Sequence, residues 1–200
     1  IINKDFLEKQ NFQSEIEYRK KIDETLESQY NNQVKAVEKK ILMDLLESKH
    51  KFEVPEGIFE EEFKIIWERV QKAKENNRLD EDDKKLSDEK LSKRYQKIAL
   101  RRVKLAILMQ KIAEKNSITV NEKELTDALI NYASQYPGQE RQIFDYFKNN
   151  PTQLENIKAP IFENKIIDHI LSKTKNKNIE ISIKQFIQLQ EDTFNFKESV

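Results

Sequence analysis

Apolar residues recur every three or four positions along nearly the whole chain, the spacing that places them on one face of an α-helix. The longest stripe of this kind runs from Phe12 to Leu45, and residues 11–50 contain neither proline nor glycine. A helix of this length would span roughly 60 Å at 1.5 Å per residue. Because only one narrow side of it is apolar, we expect this helix to lie along a partner rather than inside a globule.

Two further long helical segments follow. Pro55 is well placed in the first turn of a helix, whose buried side is predicted to hold Ile58, Phe59, Phe63, Ile66, Trp67 and Val70. Residues 75–90 interrupt the helical pattern and predict a tip or loop. The next helix is predicted from about Ser87 to Asn116, and its centre is the most apolar stretch of the chain, with apolar residues on two sides.

Shorter helices are predicted in the last third of the chain. Asn121 and Glu124 are spaced as a capping box, and Ser182 with Gln185 caps the last helix. Between them we predict helices over 122–136, from there to about 148, from 150–151 onward, and from a restart at 159–160 to about 173. Two glycines in 200 residues leave little material for tight hairpins, so we expect an all-α fold with minor extended segments.

One stretch of this last third is unusually aromatic. Residues 131–151 hold five of the 18 aromatic residues, namely Tyr132, Tyr136, Phe144, Tyr146 and Phe147, around a Pro137–Gly138 break. Tyrosines four positions apart share a helix face, so two short helices meeting at this break can present rings from both sides of a groove. Ordinary packing inside a helical hairpin is the competing interpretation, and we place Phe144 and Phe147 in the core.

Composition narrows the class of protein. Charged residues make up 36% of the chain and hydrophobic residues 37%, a balance typical of an elongated helical protein with much solvated surface. The 36 basic and 36 acidic side chains cancel, so the chain has no basic excess for nucleic acid. The longest apolar run, 105–109, is too short to cross a bilayer, so no membrane partner is expected. The absence of cysteine and of a signal peptide favours the cytoplasm.

Motifs for catalysis and cofactor binding are missing. The isolated glycines Gly57 and Gly138 cannot build a phosphate-binding loop, so no cofactor is expected. The histidines His50 and His169 are far apart in sequence, and neither lies in a metal-binding pattern. The acidic run 80–83 lacks the glycine and terminal glutamate of an EF-hand loop, so a solvated turn is the better interpretation than a calcium site. We therefore predict no catalytic and no metal-binding residue.

Three stretches together resemble a known family. They are FEVPEGIFEEEFKIIWERV (52–70), YQKIALRRVKLAILMQKIAEKNSITVNEKEL (95–125) and YASQYPGQERQIFDYFKNNPTQLENIKAPIFENKIIDHIL (132–171). In order and spacing they are similar to the C-terminal chaperone domain of bacterial trigger factor, and QYPGQE resembles the alphaproteobacterial branch. The opening NKDFLEKQNFQS resembles the segment that leaves the family's isomerase domain, with Asn11 in place of the usual glycine.

The resemblance implies an architecture. The family's domain has a helical back and two arms around a cradle, and its fold resembles the peptide-binding part of the periplasmic chaperone SurA. By position, residues 1–54 would form a linker and the long back helix, 55–117 arm one, 118–175 arm two, and 176–200 a C-terminal segment packing on the body. The ribosome-docking loop and the FKBP-like isomerase strands of the family are not in this chain.

The resemblance also implies a function. Family members hold nascent and unfolded polypeptides without ATP, contact the ribosome through their N-terminal domain, and isomerise prolyl bonds in a separate domain. This chain by itself would then be a holding domain and not an enzyme. In the family a linker helix outside this chain covers part of the back, so a homodimer through that surface is a further expectation.

Client-binding residues follow in part from the same resemblance. Four of them, Tyr132, Tyr136, Ile143 and Tyr146, lie at positions where the family's second arm touches clients. We add Leu108 and Met109, because a slim two-helix arm leaves one side of its central helix for a ligand and methionine adapts to many surfaces. The alternative to a chaperone is a rigid helical adaptor for one defined partner, and promiscuity toward unfolded proteins distinguishes the two.

Overall fold

A computed structural model describes residues 4–175, 177 and 179–194 of the chain. These residues form nine α-helices and no strand, which confirms the all-α prediction for the described part. The helices are α1 (Lys4–Lys9), α2 (Glu15–Lys49), α3 (Glu56–Glu75), α4 (Glu81–Lys84), α5 (Asp88–Asn116), α6 (Glu122–Ala133), α7 (Glu140–Asn149), α8 (Pro151–Lys173) and α9 (Ile183–Phe194). No described helix combines the length and the apolar character that a bilayer crossing requires.

The chain divides into two compact units. Unit 1 comprises the described residues up to Asp44 and from Ile181 onward, and it contains α1, most of α2, and α9. Unit 2 comprises residues 45–180 and contains the end of α2 together with α3 to α8. The finer division into a back and two arms stays a prediction.

In unit 1, α1 ends at a left-handed residue. Asn11 has φ 59°, and the N–H of Phe12 donates to the carbonyl of Leu7 at 2.9 Å, the bonding pattern of a Schellman cap. Asparagine tolerates this conformation better than most residues, which explains how it can stand where the resembling family has glycine. The rings of Phe6 and Phe12 then pack edge-on against Tyr18, with centroid distances of 5.3 and 5.2 Å.

The predicted long helix is present as α2, which has 35 residues and therefore spans about 50 Å. Only Val37 and Met43 are buried along it. Ile16 near its start is 81% exposed, and six further apolar residues are 38–50% exposed, namely Ile22, Leu26, Tyr30, Val34, Ile41 and Leu45. The stripe is therefore largely open on this chain.

Unit 2 contains a core between α3 and α5. Its centre is formed by Ile66, Val70, Leu91 and Ala99, and half-buried aromatic residues including Trp67 pack around it. Burying an aliphatic side chain of this size stabilises the fold by about 1.5–3 kcal/mol. The prediction was wrong for Ile58, which is exposed because it lies in the first turn of α3, ahead of this core.

The acidic tip between α3 and α5 is not a fully solvated turn. Asp83 in α4 is only 3% exposed and accepts hydrogen bonds from Arg94 Nη1 at 2.8 Å and from Tyr95 Oη at 2.6 Å. Burial, followed by the hydrogen bond to Asp83, raises the pKa of Tyr95 to about 12. One carboxylate of the acidic run therefore anchors the tip to α5, while its neighbours Glu81 and Asp82 stay exposed.

Two further helices end without glycine. Asn77 after α3 has φ 55° and Ser117 after α5 has φ 54°. The N–H of Arg78 donates to the carbonyl of Ala73 at 2.7 Å, and that of Ile118 to the carbonyl of Ala113 at 3.0 Å. Polar residues in the left-handed region therefore terminate these helices, so the chain does not require a glycine at each helix end.

The helices α6, α7 and α8 pack against one another. The predicted capping box of α6 is confirmed, because Asn121 Oδ1 accepts from the N–H of Glu124 at 2.9 Å and the Glu124 carboxylate accepts from the N–H of Asn121 at 2.8 Å. Lys165 of α8 donates to the Glu124 carboxylate at 2.6 Å and to the carbonyl of Thr119 at 2.6 Å. The ammonium and the Asn121 N–H lower the pKa of Glu124.

The predicted restart at residues 159–160 was wrong. Pro160 lies inside the continuous helix α8, which runs from Pro151 to Lys173. A proline inside a helix removes one backbone hydrogen bond and crowds the preceding turn. Ile166 and Ile167 further along α8 are buried, so packing of this helix outweighs the local penalty.

Candidate functional site

The aromatic stretch forms a sharp corner between α6 and α7. The N–H of Tyr136 donates to the carbonyl of Ala133 at 2.9 Å, and the N–H of Gln139 donates to the carbonyl of Tyr136 at 3.1 Å. Pro137 has no N–H to place, and Gly138 adopts φ +84°, a left-handed conformation that a residue without a Cβ takes up freely. The chain therefore reverses within a few residues.

The start of α7 is fixed by one carboxylate. Glu140 Oε1 accepts the N–H of Gly138 at 3.0 Å. Its own backbone N–H, and then that of Gly138, hold the pKa of Glu140 below its usual range. A carboxylate in the first turn also interacts favourably with the positive end of the helix dipole. The corner is thus held by backbone hydrogen bonds on both sides of Gly138.

Four rings meet beside this corner. Phe147 is 6% exposed, and Tyr132 and Tyr146 pack on it edge-to-face with centroid distances of 5.5 and 5.4 Å. Tyr136 lies 5.6 Å from Tyr132 in a tilted arrangement. Contacts of this geometry contribute about 0.5–1.5 kcal/mol each beyond the area they bury. The rings therefore support one another and are positioned before any ligand arrives.

The rings border an open groove with a volume of about 460 Å³. We call it the aromatic groove, and it is lined by Tyr132, Tyr136, Gln139, Gln142, Ile143, Tyr146 and Phe147. Its size lies in the range of binding sites for small ligands or a few residues of a peptide. None of the described residues that line the groove is charged.

The tyrosines of the groove are half-open to solvent. Tyr136 is 44% and Tyr146 is 51% exposed, while Tyr132 is half-buried between them and Phe147. A hydrogen bond with the Tyr136 hydroxyl is the main cause that raises the pKa of Tyr132, so the Tyr132 phenol keeps its proton at physiological pH. The site is therefore apolar at its base and carries hydroxyl groups at its rim.

Of the six predicted client-binding residues, the structure brings four together. Tyr132, Tyr136, Ile143 and Tyr146 all line the aromatic groove. Leu108 is half-buried on α5 and Met109 is 6% exposed, and neither borders the groove. Of the two rings placed in the core, Phe147 is buried and Phe144 is half-buried.

Two lining residues were not predicted. Gln139 and Gln142 belong to the groove, and their side-chain amides have no hydrogen-bond partner within the part of the chain that the structure describes. Glutamine is common in this polar chain, so its sequence offers no signal that separates a lining amide from a solvated one. The turn that places Gln139 becomes visible only with the corner geometry.

A second, polar depression of about 520 Å³ lies where the loop between α5 and α6 meets α8. Lys165 and His169 line it, but the hydrogen bonds of Lys165 already go to Glu124 and Thr119. Among the described residues, no three His, Cys, Asp or Glu side chains are grouped so that they could hold a metal ion. The aromatic groove is the better candidate for a binding site.

Comparison with known proteins connects this architecture to a family. Residues 16–172 match the family model of the bacterial trigger factor protein C-terminus. The chain is 37% identical over 191 residues to a trigger factor of Rhodospirillum centenum, covering 96% of this chain and 43% of that protein. It is 35% identical over 188 residues to the trigger factor of Gluconacetobacter diazotrophicus, covering 94% and 42%.

A third relative agrees. The trigger factor of Azospirillum brasilense is 42% identical over 150 residues, which cover 75% of this chain and 34% of that protein. The matching stretch of this chain thus spans less than half the length of each of these curated relatives. These organisms agree with the branch that the QYPGQE form predicted. Because the family model covers most of the chain, including the aromatic groove, the chain belongs to the trigger factor family and corresponds to its C-terminal domain.

Proposed function

We propose that this chain holds unfolded polypeptides, using the aromatic groove as a contact surface and no nucleotide. The observation that supports this proposal most strongly is that the aromatic rings are already held in place while two of them stay exposed to solvent. Tyr136 and Tyr146 keep about half of their surface open although ring contacts hold their neighbours in place. An exposed apolar patch with a polar rim is typical of a protein-interaction site.

The chemistry of the groove fits clients of many sequences. Tyrosine presents a rigid apolar face and a hydroxyl that can donate or accept, so it contacts a chain by area rather than by a fixed code. Ile143 and the buried Phe147 add apolar area at the base. Within the described part of the chain no charged side chain lines the groove, so the groove does not require a countercharge on the client.

Holding without turnover follows from weak contacts. A groove of about 460 Å³ takes only a few residues of a client, so each contact is weak and several along one client add by avidity. Release occurs when the client buries its own apolar residues and no longer offers them. Leu108 is half-buried on α5 outside the groove lining and would be a separate contact, whereas Met109 would have to leave the core first.

The place of this domain in its parent is part of the proposal. By family membership, the parent would meet nascent chains at the ribosome through another domain and isomerise prolyl bonds in a third, both in the cytoplasm. The region described here would then supply the holding surface and no catalytic group. In a prolyl-peptide isomerisation assay, we expect this chain to give only the background rate.

The test is aggregation of several unrelated denatured proteins diluted into buffer, followed by light scattering. We expect the wild-type chain to delay scattering for all of them. The triple variant Tyr132→Ser, Tyr136→Ser, Tyr146→Ser should lose most of this effect. Tyr30→Ser is the matched control, since Tyr30 is also about 40% exposed but lies on α2, outside the groove.

Folding of each variant is checked by circular dichroism and by the fluorescence of Trp67, the single tryptophan. Tyr146→Ser alone serves if the triple variant unfolds, because Tyr146 is the most exposed of the three rings. Full suppression by a folded triple variant would contradict the groove as the contact surface. Absence of suppression by the wild type for every client would contradict the holding function itself.

The open stripe of α2 favours a second candidate function, a helical adaptor. Six of its apolar residues lie along one helix and are 38–50% exposed, an arrangement that suits one long partner helix; they are Ile22, Leu26, Tyr30, Val34, Ile41 and Leu45. An adaptor of this kind would leave aggregation of unrelated proteins unchanged. It would also respond to Tyr30→Ser and not to the tyrosines of the groove.

A further inference from the structure

A single ammonium group joins three parts of unit 2. Among the described residues, Lys165 Nζ on α8 donates to Glu124 Oε1 at 2.6 Å, to Glu124 Oε2 at 2.8 Å and to the carbonyl of Thr119 at 2.6 Å. Glu124 lies in the first turn of α6, and Thr119 lies in the connector of residues 117–121 between α5 and α6. The ammonium therefore fastens both the connector and the start of α6 to α8.

The Lys165–Glu124 ion pair connects two helices rather than two turns of one helix. Its partners are 41 residues apart in sequence, and their side chains are only 31% and 33% exposed. By contrast, Lys158 on the same helix pairs with Glu155 three residues away, so that pair stays within α8. Partial burial reduces the screening of an ion pair by solvent, and hydrogen bonds between charged groups are stronger than neutral ones. Loss of Lys165 should therefore release one element from another.

The connector 117–121 is loosely packed apart from these hydrogen bonds. Its first residue, Ser117, has φ 54°, and the side chains of Ser117 and Thr119 are exposed. Ile118 and Val120 are only half-buried. The open polar depression of about 520 Å³ lies here and is lined by the connector and by α8, including Lys165. A segment that buries so little surface moves more easily than a packed helix, so the connector has the properties of a hinge.

The packing of the helices places the aromatic groove on the far side of this hinge. The helix α6 packs on α7 and α8, whereas α5 packs on α3 and α8. The groove lies on α6, α7 and the corner between them, and the predicted contact Leu108 lies on α5. We propose that Lys165 is a positioning residue that acts as a latch. Its ammonium locks the hinge 117–121 and thereby fixes the direction of the α6–α7 hairpin, and of the aromatic groove, relative to α5.

A fixed direction has a consequence for holding a client. Two weak contacts on one client add by avidity only when the client segment between them can span their separation. A swinging hairpin would spread the separation between the groove and α5 over a range and lower the effective concentration of the second contact. The latch therefore favours simultaneous contacts. This consequence rests on the proposed holding function, whereas the latch itself does not.

Distances between spin labels test the latch in the absence of a client. The chain has no cysteine, so only introduced cysteines react with the label. Labels at Lys97→Cys on α5 and Lys148→Cys on α7 report on the direction of the hairpin. Labels at Lys64→Cys on α3 and at Lys97→Cys report on the α3–α5 core, and all three lysines are exposed. Double electron–electron resonance gives the distribution of each distance.

Variants on α8 and α6 separate the latch from general stability. Lys165→Met removes the ammonium and keeps a long side chain, so it should widen the 97–148 distribution about twofold and leave the 64–97 distribution unchanged. Lys158→Met is the matched control, because it breaks an ion pair within α8, and it should change neither distribution. Glu124→Gln keeps a side chain that can complete the capping box and removes the charge. It should widen the 97–148 distribution less than Lys165→Met does, and it serves if Lys165→Met does not fold.

The outcomes for the latch are distinct. An unchanged 97–148 distribution in the folded Lys165→Met chain, or in Glu124→Gln if the first variant does not fold, would overturn the latch. Equal widening of the 97–148 and 64–97 distributions would also overturn it, because it would indicate a general loosening of unit 2.

The aggregation assay tests the consequence for holding. Lys165→Met leaves every residue of the groove lining in place, yet about threefold more of this variant should be needed for half suppression, because avidity falls. Widened distances with unchanged suppression would overturn the avidity step and keep the latch. A wild-type chain that suppresses no aggregation would overturn the holding function, while the label distances would still decide the latch.

Discussion

The two glycines of this chain should respond in opposite directions to the same substitution. Gly138 has φ +84° at the groove corner, whereas Gly57 lies in helix α3. A Cβ added at either position meets no atom within 4 Å, so steric contact with neighbouring residues does not contribute to the change in stability. The difference between the two alanine variants therefore measures backbone conformation alone.

The magnitudes follow from each conformation. A left-handed residue with a Cβ costs about 1–2 kcal/mol, so Gly138→Ala should lower the free energy of unfolding by about 1 kcal/mol after the gain of up to ~1 kcal/mol from a stiffer unfolded chain. Gly57→Ala keeps a helical conformation and should raise the free energy of unfolding by about 0.5–1 kcal/mol. The two variants should thus differ by roughly 1.5–2 kcal/mol.

Urea unfolding followed by Trp67 fluorescence checks this difference, because the tryptophan lies in the same unit as both glycines. With a slope of about 2 kcal/mol per molar urea, the two midpoints should be separated by roughly 0.7–1 M. Gly138→Asn, which tolerates left-handed backbone, should fall between them. A Gly138→Ala midpoint at or above that of the wild type would refute the left-handed corner.

Further predictions concern the helices around the groove and the tip. Asp83→Ala should lower the free energy of unfolding by about 1–3 kcal/mol, because it removes the buried carboxylate that accepts hydrogen bonds from the half-buried Tyr95 and from Arg94; the exposed Asp82→Ala is its control and should change it by less than about 0.5 kcal/mol. Since the folded pKa of Tyr95 is raised to about 12, its contribution to stability is complete below pH 10 and is lost as the pH rises toward 12. Tyr95→Phe should therefore flatten alkaline unfolding between pH 10 and 12, and an unchanged profile would assign that loss to other groups. Asn121→Ala removes the capping box of α6 and should lower the free energy of unfolding in urea by about 1 kcal/mol. An unchanged free energy would show that this cap does not stabilise the fold. Pro160→Ala restores an N–H inside α8 and should stabilise the chain by about 1–3 kcal/mol, whereas a loss of stability would show that the packing of α8 depends on proline at this position.

Helix boundaries were predictable where a side chain caps its own backbone. Asn121 with Glu124, and Ser182 with Gln185, form the reciprocal hydrogen bonds that their spacing indicates. Such signals are local, so they survive whatever the rest of the chain does. Pro160 gave an equally local signal and was misleading, because the packing of α8 overrides the cost of an internal proline.

The core was only partly predictable because its smallest members carry no signal. Ala99, Ala113 and Ala133 are among the most buried residues, yet alanine is equally at home on a helix surface. Their burial follows from close approach of neighbouring helices, which no pattern of large apolar residues reveals. Asp83 was missed for the opposite reason, since a carboxylate is rarely buried unless partners such as Arg94 and Tyr95 enclose it.

The groove was predictable in its rings and not in its rim. Helical spacing placed Tyr132 beside Tyr136 and joined them to Tyr146 across the Pro137–Gly138 corner. The roles of Gln139 and Gln142 depend on the dihedral angles of that corner, which a single sequence does not specify. Hydrogen-bonding capacity at the rim is therefore the part of the site that required coordinates.

The most direct test of the account places a photo-crosslinker in the groove. Tyr146→p-benzoylphenylalanine keeps an aromatic ring at the most exposed wall, and the same replacement of Tyr30 provides a control on α2. Each variant is irradiated with a permanently unfolded client and with the same client in its folded form. The account predicts strong cross-linking to the unfolded client from position 146, little from position 30, and little to the folded client from either. Equal cross-linking from both positions, or none from position 146, would contradict the aromatic groove as the surface that holds unfolded chains.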